Sequence, residues 1–335
     1  MMMMSKLKFL DLFAGIGGFR LGMEMAGHEC VGYVEWDKFA RKSYEAMHDT
    51  KGEWTAHDIT NISDNYFRTL RGQVDVICGG FPCQAFSVAG KRGGFSDTRG
   101  TLFFEIARAA KQIKPRFLFL ENVKGLLSHD KGKTFETILY TLDELGYDAE
   151  WQVLNSKDFG VPQNRERVFV IGHLRGAGGR EIFPIPRTNG EVSVPVEIIA
   201  HRKGYRRNTQ VFDPNGITET LDTGQGGGRG HYTIQPVLTP DRLNKRQNGR
   251  RFKDDGEPMF TLTSQDRHGV YDGYRIRKLT PKECWRLQGF PDELFEKAAE
   301  VNSDSQLYKQ AGNSVTVNVI YEIAKRLKGK GCLND

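Results

Sequence analysis

Cysteine is scarce in this chain, and its spacing excludes two common kinds of site. The 335 residues include five cysteines, with no Cys-x-x-Cys pair. An odd count without that spacing argues against a disulfide scaffold and a zinc site, so we expect no metal and a reducing, cytoplasmic location. Long hydrophobic runs are missing too. No stretch reaches the ~18 apolar residues of a membrane span, and Asp11 interrupts the apolar run that an N-terminal signal peptide needs.

Excess positive charge is confined to one segment. The formal net charge is +6 at pH 7, and residues 187–278 hold 16 Lys and Arg against 11 Asp and Glu. A basic segment is typical of contact with a polyanion such as nucleic acid. A solvated, loop-rich insertion has the same charge count, and charge alone does not distinguish the two.

Short apolar runs alternate with amphipathic stretches in the first half of the chain. This alternation predicts an α/β fold, with a parallel or mixed sheet covered by helices on both faces. The predicted strands are 7–13, 29–34, 74–78, 116–120, 150–154 and 167–171, and the predicted helices are 18–26, 38–48, 101–113 and 134–145. After residue 176 the pattern dissolves into short β-branched pieces, and helical periodicity returns at 281–287 and 315–327.

A glycine-rich turn follows the first predicted strand. Phe13 is followed by Gly15, Gly17 and Gly18, and such glycines let a ligand approach backbone N–H groups at a helix start. The third glycine of the dinucleotide pattern G-x-G-x-x-G is replaced by Arg20. A tight connection without a ligand explains the turn equally well.

Polar and aromatic residues follow the predicted strand 29–34 and a further short strand that precedes Asp58. Glu35 could accept both hydroxyls of a ribose, and Trp36 could stack on a purine. Asp58 and Ile59 could hold an adenine edge and face. The structural alternatives are a surface acid for Glu35, a core side chain for Trp36 and a helix N-cap for Asp58. Their order along the chain favours a pocket for a nucleoside cofactor.

Cys83 lies just past the carboxyl end of a predicted strand, where open α/β sheets place their ligands. Pro82 stiffens the chain before it. A thiol with the usual pKa of ~8.5 must lose its proton to act as a nucleophile. A small buried side chain is the commoner role of a lone cysteine and fits Cys30 and Cys78, but the polar neighbours of Cys83 do not build an apolar core.

An acid and two arginines follow later in the chain. Glu121 ends a predicted strand and could share a proton with a heterocycle. Arg165 and Arg167 are two residues apart, so a strand points both to one face, where they could bind a phosphate or a base carbonyl. A structural salt-bridge network is the alternative for the arginines.

Five blocks in this order resemble the motifs of the DNA (cytosine-5)-methyltransferases of the bacterial restriction–modification type. They are the turn at 13–18, the Cys83 loop at 80–84, and the blocks 121–123, 163–167 and 310–315. The resemblance covers nearly the whole chain except 187–278, where this family keeps its variable target-recognition region. A single Pro-Cys pair would not identify a family, whereas five motifs in the same order are specific for this one.

The resemblance implies a Rossmann-like S-adenosylmethionine-dependent methyltransferase sheet with helices on both faces, plus a small irregular β-rich target-recognition domain. It places a catalytic and cofactor-binding domain at 1–185, the target-recognition domain at 186–279 and a C-terminal segment that returns to the catalytic domain at 280–335. The implied cofactor is S-adenosylmethionine and the partner is double-stranded DNA, bound by a protein that we expect to be monomeric. The expected cofactor-binding residues are Phe13, Gly15, Gly17, Gly18, Glu35, Trp36, Asp58, Ile59, Pro82, Leu102, Asn313, Ser314 and Val315.

The resemblance also implies the reaction, which takes place on a cytosine flipped out of the duplex. Cys83 would add to C6, Glu121 would hydrogen-bond N3, and Arg167, with Arg165, would hold the O2 side. The methyl group then passes to C5, and loss of the C5 proton expels the cysteine. Flipping costs a few kcal/mol, which phosphate contacts of the basic segment could supply.

Two loops of the basic segment are candidates for reading DNA. Gln225 stands among glycines, so its amide could enter a groove and pair with the orphaned base, although a plain surface turn is the alternative. The second loop crowds donors and acceptors together, and an arginine there could read guanine. The expected DNA-contacting residues are Ser87, Gln225, Ser264, Gln265, Arg267 and His268.

Three other functions fit part of this pattern. A cytosine methyltransferase of the same fold could act on RNA, but a recognition segment of this size favours duplex DNA. A nicotinamide oxidoreductase is disfavoured by Arg20 at the third glycine and by the Pro-Cys loop. A non-catalytic DNA-binding module would need none of Cys83, Glu121 and Arg167.

Overall fold

Apolar alternation along the first strand determines how the layers pack. The computed structural model describes residues 6–82, 102–178, 181–186, 198–201, 210–212, 235–241, 249–254, 257–265, 267–271 and 276–328, with the backbone alone for 198–201 and 210–212. In the strand Lys8–Leu12, Phe9 joins one apolar cluster while Leu10 and Leu12 join another. Successive side chains of a strand point to opposite faces, so the sheet needs a helical layer on each side.

Seven strands form the central sheet in the order β3-β2-β1-β4-β5-β7-β6. They are β1 Lys8–Leu12, β2 Glu29–Val34, β3 Trp54–Ala56, β4 Val76–Gly80, β5 Phe117–Val123, β6 Tyr147–Asn155 and β7 Glu166–Leu174. Strands β1 to β5 are parallel, and β7 runs antiparallel between β5 and β6. The predicted mixed sheet is confirmed.

Helices cover both faces of this sheet. The helices are α1 Gly18–Met25, α2 Lys38–Met47, α3 Asp64–Thr69, α4 Leu102–Ile113, α5 Lys133–Glu144, α6 Pro281–Arg286, α7 Asp292–Ala299, α8 Asp304–Asn313 and α9 Val317–Ala324. On one face, α3, α4 and α5 bury Phe67, Ile106 and Leu142. On the other, the ring of Phe19 in α1 packs edge-on against Phe119, with centroids 5.0 Å apart, and α9 completes that layer. Each such ring or aliphatic side chain contributes roughly 1.5–3 kcal/mol by burial.

Several boundaries differ from the predicted ones for identifiable reasons. Strands β6 and β7 extend beyond their apolar centres because they pair with each other along nine residues each, exposed positions included. Helix α9 begins two residues later than predicted because Thr316 is its extended N-cap. Helices α3, α7 and α8 are missing from the sequence prediction. Helix α3 has only six residues, and α8 buries only four of its ten.

The described residues between β7 and α6 form two small antiparallel sheets. Strands β8 (Ile198–His201) and β9 (Gln210–Phe212) form one, and β10 (Gln235–Leu238), β11 (His268–Tyr271) and β12 (Ile276–Lys278) form the other. These match the predicted small β-rich part, while the domain boundaries at 185 and 279 stay a prediction. The later helices return to the main sheet, where α9 packs on α1. In the described part of the chain, no helix combines the length and apolar character that crossing a bilayer requires.

Candidate active site

The turn after β1 takes a left-handed backbone at three positions. Phe13, Gly15 and Gly17 have φ values of 57°, 57° and 81°. Glycine adopts this region without steric cost, whereas Phe13 is an uncommon case for a residue with a side chain. Gly15 donates its N–H to Oε2 of Glu35 at 2.7 Å. The predicted glycine turn is therefore joined directly to the residue that follows β2.

Glu35 is held by the backbone on both of its oxygens. Asp37 donates its N–H to Oε1 at 2.7 Å, opposite the contact from Gly15. Burial raises the pKa of Glu35, and these two hydrogen bonds oppose the shift. Each oxygen keeps a second lone pair for a ligand hydroxyl. The neighbouring Trp36 is 74% exposed, so its indole lies outside the core and is open to stacking.

Asp58 caps a short 3₁₀ turn that follows β3. Its carboxylate accepts the N–H of Thr60 at 2.9 Å and the amide of Asn61 at 3.0 Å. The capping alternative is therefore what the structure shows for Asp58, while Ile59 is buried. Since β3 pairs with β2 in parallel, Asp58 and Glu35 follow the ends of adjacent strands.

Arg20 has a role that the sequence prediction missed. Its guanidinium is buried and donates to Glu24, to both oxygens of Glu53, to the Asp49 carbonyl and to the Tyr44 hydroxyl. These contacts anchor the chain before β3 to α1, so the residue in place of the third glycine is part of the scaffold under the turn. The i,i+4 spacing to Glu24 was its one sequence signal.

The C-terminal block lies against the start of α1. Ser314 and Val315 are buried, and a Cβ added to Gly18 would lie 2.8 Å from Cγ2 of Val315 and 2.9 Å from Oγ of Ser314. Gly18 is therefore required by packing, in addition to any ligand contact. Asn313 is exposed at the end of α8. The block stands beside the glycine turn, as the resemblance implies.

A buried ion pair marks the end of β5. Nε of Arg167 lies 2.9 Å from Oε1 of Glu121, and both side chains are largely buried. Burial raises the pKa of Glu121, and the positive charges of Arg167 and Arg165 oppose that shift. The pair forms because β7 runs antiparallel to β5, which brings Arg167 opposite Val123, two residues from the acid.

The end of β4 is tied to the same place. A Cβ on Gly80 would lie 3.2 Å from Oε2 of Glu121, so glycine lets the acid approach the strand end closely. The side-chain amide of Asn122 donates to the Phe81 carbonyl at 2.9 Å. The chain that precedes Cys83 is therefore fixed against Glu121, and this tether was not predicted.

Two further predicted cofactor-binding residues make no contact that singles them out, and three predicted residues lie outside the described part of the chain. Pro82 is exposed at the end of the described segment, and Leu102 is partly buried at the start of α4. Cys83, Ser87 and Gln225 lie outside the described residues.

Arg165 differs from its predicted role beside the base. It precedes β7 and is buried, and its terminal nitrogens donate to the backbone carbonyls of Leu262, Gly312 and Ser314. Nε of Arg165 is buried and has no hydrogen-bond partner among the residues that the structure describes. The terminal nitrogens of Arg165 bind these carbonyls, so Arg165 is not assigned as a donor to a bound base. Arg167 keeps that proposed role.

The predicted DNA-reading loop is divided by the structure. Ser264 and Gln265 are exposed. Arg267 is exposed and forms an ion pair with Asp241 at 2.6 Å. His268, expected at a base edge, is instead buried as the first residue of β11. Its backbone pairs with Leu238 of β10, so the exposed part of the loop ends at Arg267.

Residues at the carboxyl ends of β1 to β5, at the start of β7 and in the C-terminal block thus lie at one edge of the sheet. One side has a carboxylate and an exposed indole suited to a nucleoside, and the other has a buried acid paired with an arginine. Among the residues that the structure describes, no group of three or more His, Cys, Asp or Glu is placed to hold a metal ion.

Comparison with known proteins agrees with this geometry. Residues 7–329 match the family model described as C-5 cytosine-specific DNA methylase. The chain is 40% identical to the type II methyltransferase M.HpaII of Haemophilus parainfluenzae, covering 97% of this chain and 90% of that protein. It is 38% identical to the type II methyltransferase M.HhaI of Haemophilus parahaemolyticus, covering 95% and 93%. The crystal structure of S. pombe Dnmt2 methyltransferase aligns with a TM-score of 0.62 over 96% of this chain and 98% of that one, and at 19% identity this shows a shared fold.

Proposed function

The chain belongs to the C-5 cytosine-specific DNA methylase family and is a DNA cytosine-C5 methyltransferase, and we propose that it methylates a flipped cytosine in a specific duplex sequence through a covalent Cys83–C6 adduct. The observation that carries this proposal is the buried Glu121–Arg167 pair, fixed beside the strand end that leads to Cys83. A base bound there meets an acid and an arginine at fixed positions.

The residues of the glycine turn fit S-adenosylmethionine. Glu35 has spare lone pairs beside the turn, Trp36 offers an exposed ring, Phe13 lies in the turn, and Val315 lies against Gly18 at its end. When bound, S-adenosylmethionine supplies an electrophilic methyl group. In this proposal the protein binds the ribose hydroxyls through Glu35 and stacks the adenine on Trp36, which orients the donor toward the base.

The side of the site that contains Glu121 and Arg167 activates the cytosine ring. The thiolate of Cys83 forms a bond to C6, and the displaced electron pair makes C5 nucleophilic while charge develops at N3. Burial raises the pKa of Glu121, which favours the protonated carboxyl, and in that form it donates a hydrogen bond to N3 and stabilises the charge. Arg167 holds the acid in place and donates toward O2. After C5 gains the methyl group and leaves the donor as its demethylated thioether, a base takes the C5 proton. The C–H electron pair then re-forms the C5–C6 double bond, and the C6–S bond breaks to free the thiolate.

We propose that residues 187–278 read the DNA. Ser264, Gln265 and Arg267 would contact base edges, and Gln225 would fill the gap left by the flipped base. The excess positive charge of this segment supports the proposal. M.HpaII and M.HhaI are named as type II methyltransferases, and we infer a restriction–modification role and a cytoplasmic, monomeric enzyme for this chain.

The test is transfer of a labelled methyl group to duplex DNA and, in parallel, to tRNA. We expect 5-methyldeoxycytidine in the DNA digest, and bisulfite sequencing of plasmids protected from a panel of restriction enzymes should show one recurrent site. Label found only in tRNA would support the RNA alternative. Transfer to neither, with a folded protein that binds the donor, would contradict the proposal.

A further inference from the structure

Arg165 joins two segments that are about one hundred residues or more from it in the chain. One terminal nitrogen donates to the Leu262 carbonyl at 2.8 Å. The other donates to the Ser314 carbonyl at 2.6 Å and to that of Gly312 at 3.3 Å. Burial and the nearby Arg167 lower the pKa of Arg165 to about 9, which leaves the group charged at neutral pH. A single planar cation therefore holds both segments.

The first segment leads to the predicted DNA-reading loop. Four more hydrogen bonds join residues 259–262 to residues 162–164, two between backbone groups and two through the side chains of Thr261 and Gln163. The exposed Ser264 and Gln265 follow directly. The start of this loop, residues 259–262, is therefore held against residues 162–164, which lead into β7.

The second segment, residues 312–315, borders the proposed cofactor site. Ser314 and Val315 pack on Gly18 at the start of α1. Gly312 meets the loop directly, since a Cβ there would lie 2.3 Å from the Thr263 carbonyl carbon. The two segments are in contact, and the Arg165 guanidinium binds carbonyls on both sides of that contact.

We propose that Arg165 is a positioning residue that couples occupancy of the cofactor side to DNA binding by the loop at 259–265, an inference that rests on the proposed function. A ligand seated against the turn immobilises Ser314, and through Arg165 it orders the Leu262 end of the loop before DNA arrives. DNA binding then has less chain to order, which raises its affinity. Linkage makes the effect reciprocal, so bound DNA tightens the cofactor by the same factor.

The experiment measures the dissociation constant for duplex DNA with and without saturating S-adenosylhomocysteine. For the wild type we expect the ligand to tighten DNA binding about tenfold, within the usual range of coupling. Lysine keeps the charge but lacks the planar fork that spans both segments, so Arg165→Lys should bind both ligands while the ratio falls below twofold. Arg326→Lys is the matched control, because Arg326 also binds two carbonyls, those of Ile182 and Pro184, away from the site.

Thermal unfolding of each variant shows whether it is folded. If Arg165→Lys does not fold, Gly312→Ala takes its place, because the added Cβ pushes the loop away from the block and leaves the guanidinium intact; it too should lose the coupling. A wild-type ratio in the folded Arg165→Lys protein, or a wild type that binds both ligands without coupling, overturns the inference and leaves the proposed function standing. A wild type that binds neither ligand contradicts the proposed function instead.

Discussion

The two halves of the central sheet hold their acids in different ways. On the parallel side, Glu35 accepts two backbone N–H groups, and Asp58 caps a short turn. On the side that contains the antiparallel β7, Glu121 is buried against the Arg167 side chain. Backbone contacts survive substitution of neighbouring side chains, whereas a side-chain ion pair does not. On the proposed cofactor side the acids are therefore held mainly by backbone groups, and on the proposed base side the acid is held by one ion pair between two side chains.

The same substitution in each half separates binding from chemistry most strongly. Glu121→Gln removes the acid that stabilises charge at N3, and we expect kcat to fall by about 10²–10⁴ with cofactor affinity unchanged. Glu35→Gln is the matched control and should weaken the cofactor while kcat at saturation stays near wild type. Single-turnover methyl transfer and calorimetry measure the two effects. Equal losses of kcat in both variants would remove the distinction between the halves.

Removing the arginine tests the ion pair itself. Arg167→Met leaves a buried acid without its partner, at a cost of about 3–5 kcal/mol in the free energy of unfolding. A carboxyl whose folded pKa lies above its usual value stabilises the fold at low pH and loses that contribution as pH rises through the folded pKa. Arg167 opposes the raised pKa of Glu121, so the variant should lose stability between pH 5 and pH 8 more steeply than wild type. Urea unfolding at both pH values measures this, and the double variant with Glu121→Gln should regain part of the loss.

On the cofactor side the expected effect is smaller. Glu35→Ala removes a charged acceptor for the ribose hydroxyls, which is worth ~1.5–3 kcal/mol of binding free energy. Calorimetry with S-adenosylmethionine should show this loss, and NAD should not bind to either protein. Unchanged affinity would place the donor elsewhere.

The smallest expected effect is that of a substitution in the predicted DNA-reading loop. Arg267→Ala should relax discrimination at one base pair by ~1–3 kcal/mol with little change in stability, because its ion pair with Asp241 is exposed. Arg250, also exposed and paired with acids in the same segment, provides the control variant Arg250→Ala. Discrimination that matches wild type in both would assign base reading to other residues.

The sequence predicted the acids better than the groups that hold them. Glu35, Asp58 and Glu121 lie at the strand ends where the alternation of strands and helices places them, at one edge of the sheet, while their ligand contacts stay a prediction. The partner contacts depend on distant segments, so no local pattern predicts that Arg165 meets Leu262 and Ser314.

The recognition segment was predicted only in outline. Its irregular composition gave a small β-rich part, but register decided the details. His268 is buried where it begins β11 and pairs with Leu238 of β10. A list of donors and acceptors in sequence does not contain that information.

The central claim is that Cys83 forms the covalent bond to the base. The direct measurement is incubation with S-adenosylmethionine and duplex DNA that carries 5-fluorocytosine at the target, followed by peptide mapping of any adduct. Fluorine at C5 blocks the elimination, so the wild type should be trapped on the DNA through Cys83, and Cys83→Ser should bind the cofactor without being trapped. No adduct at a site that is methylated normally, or an adduct through another residue, would contradict the account.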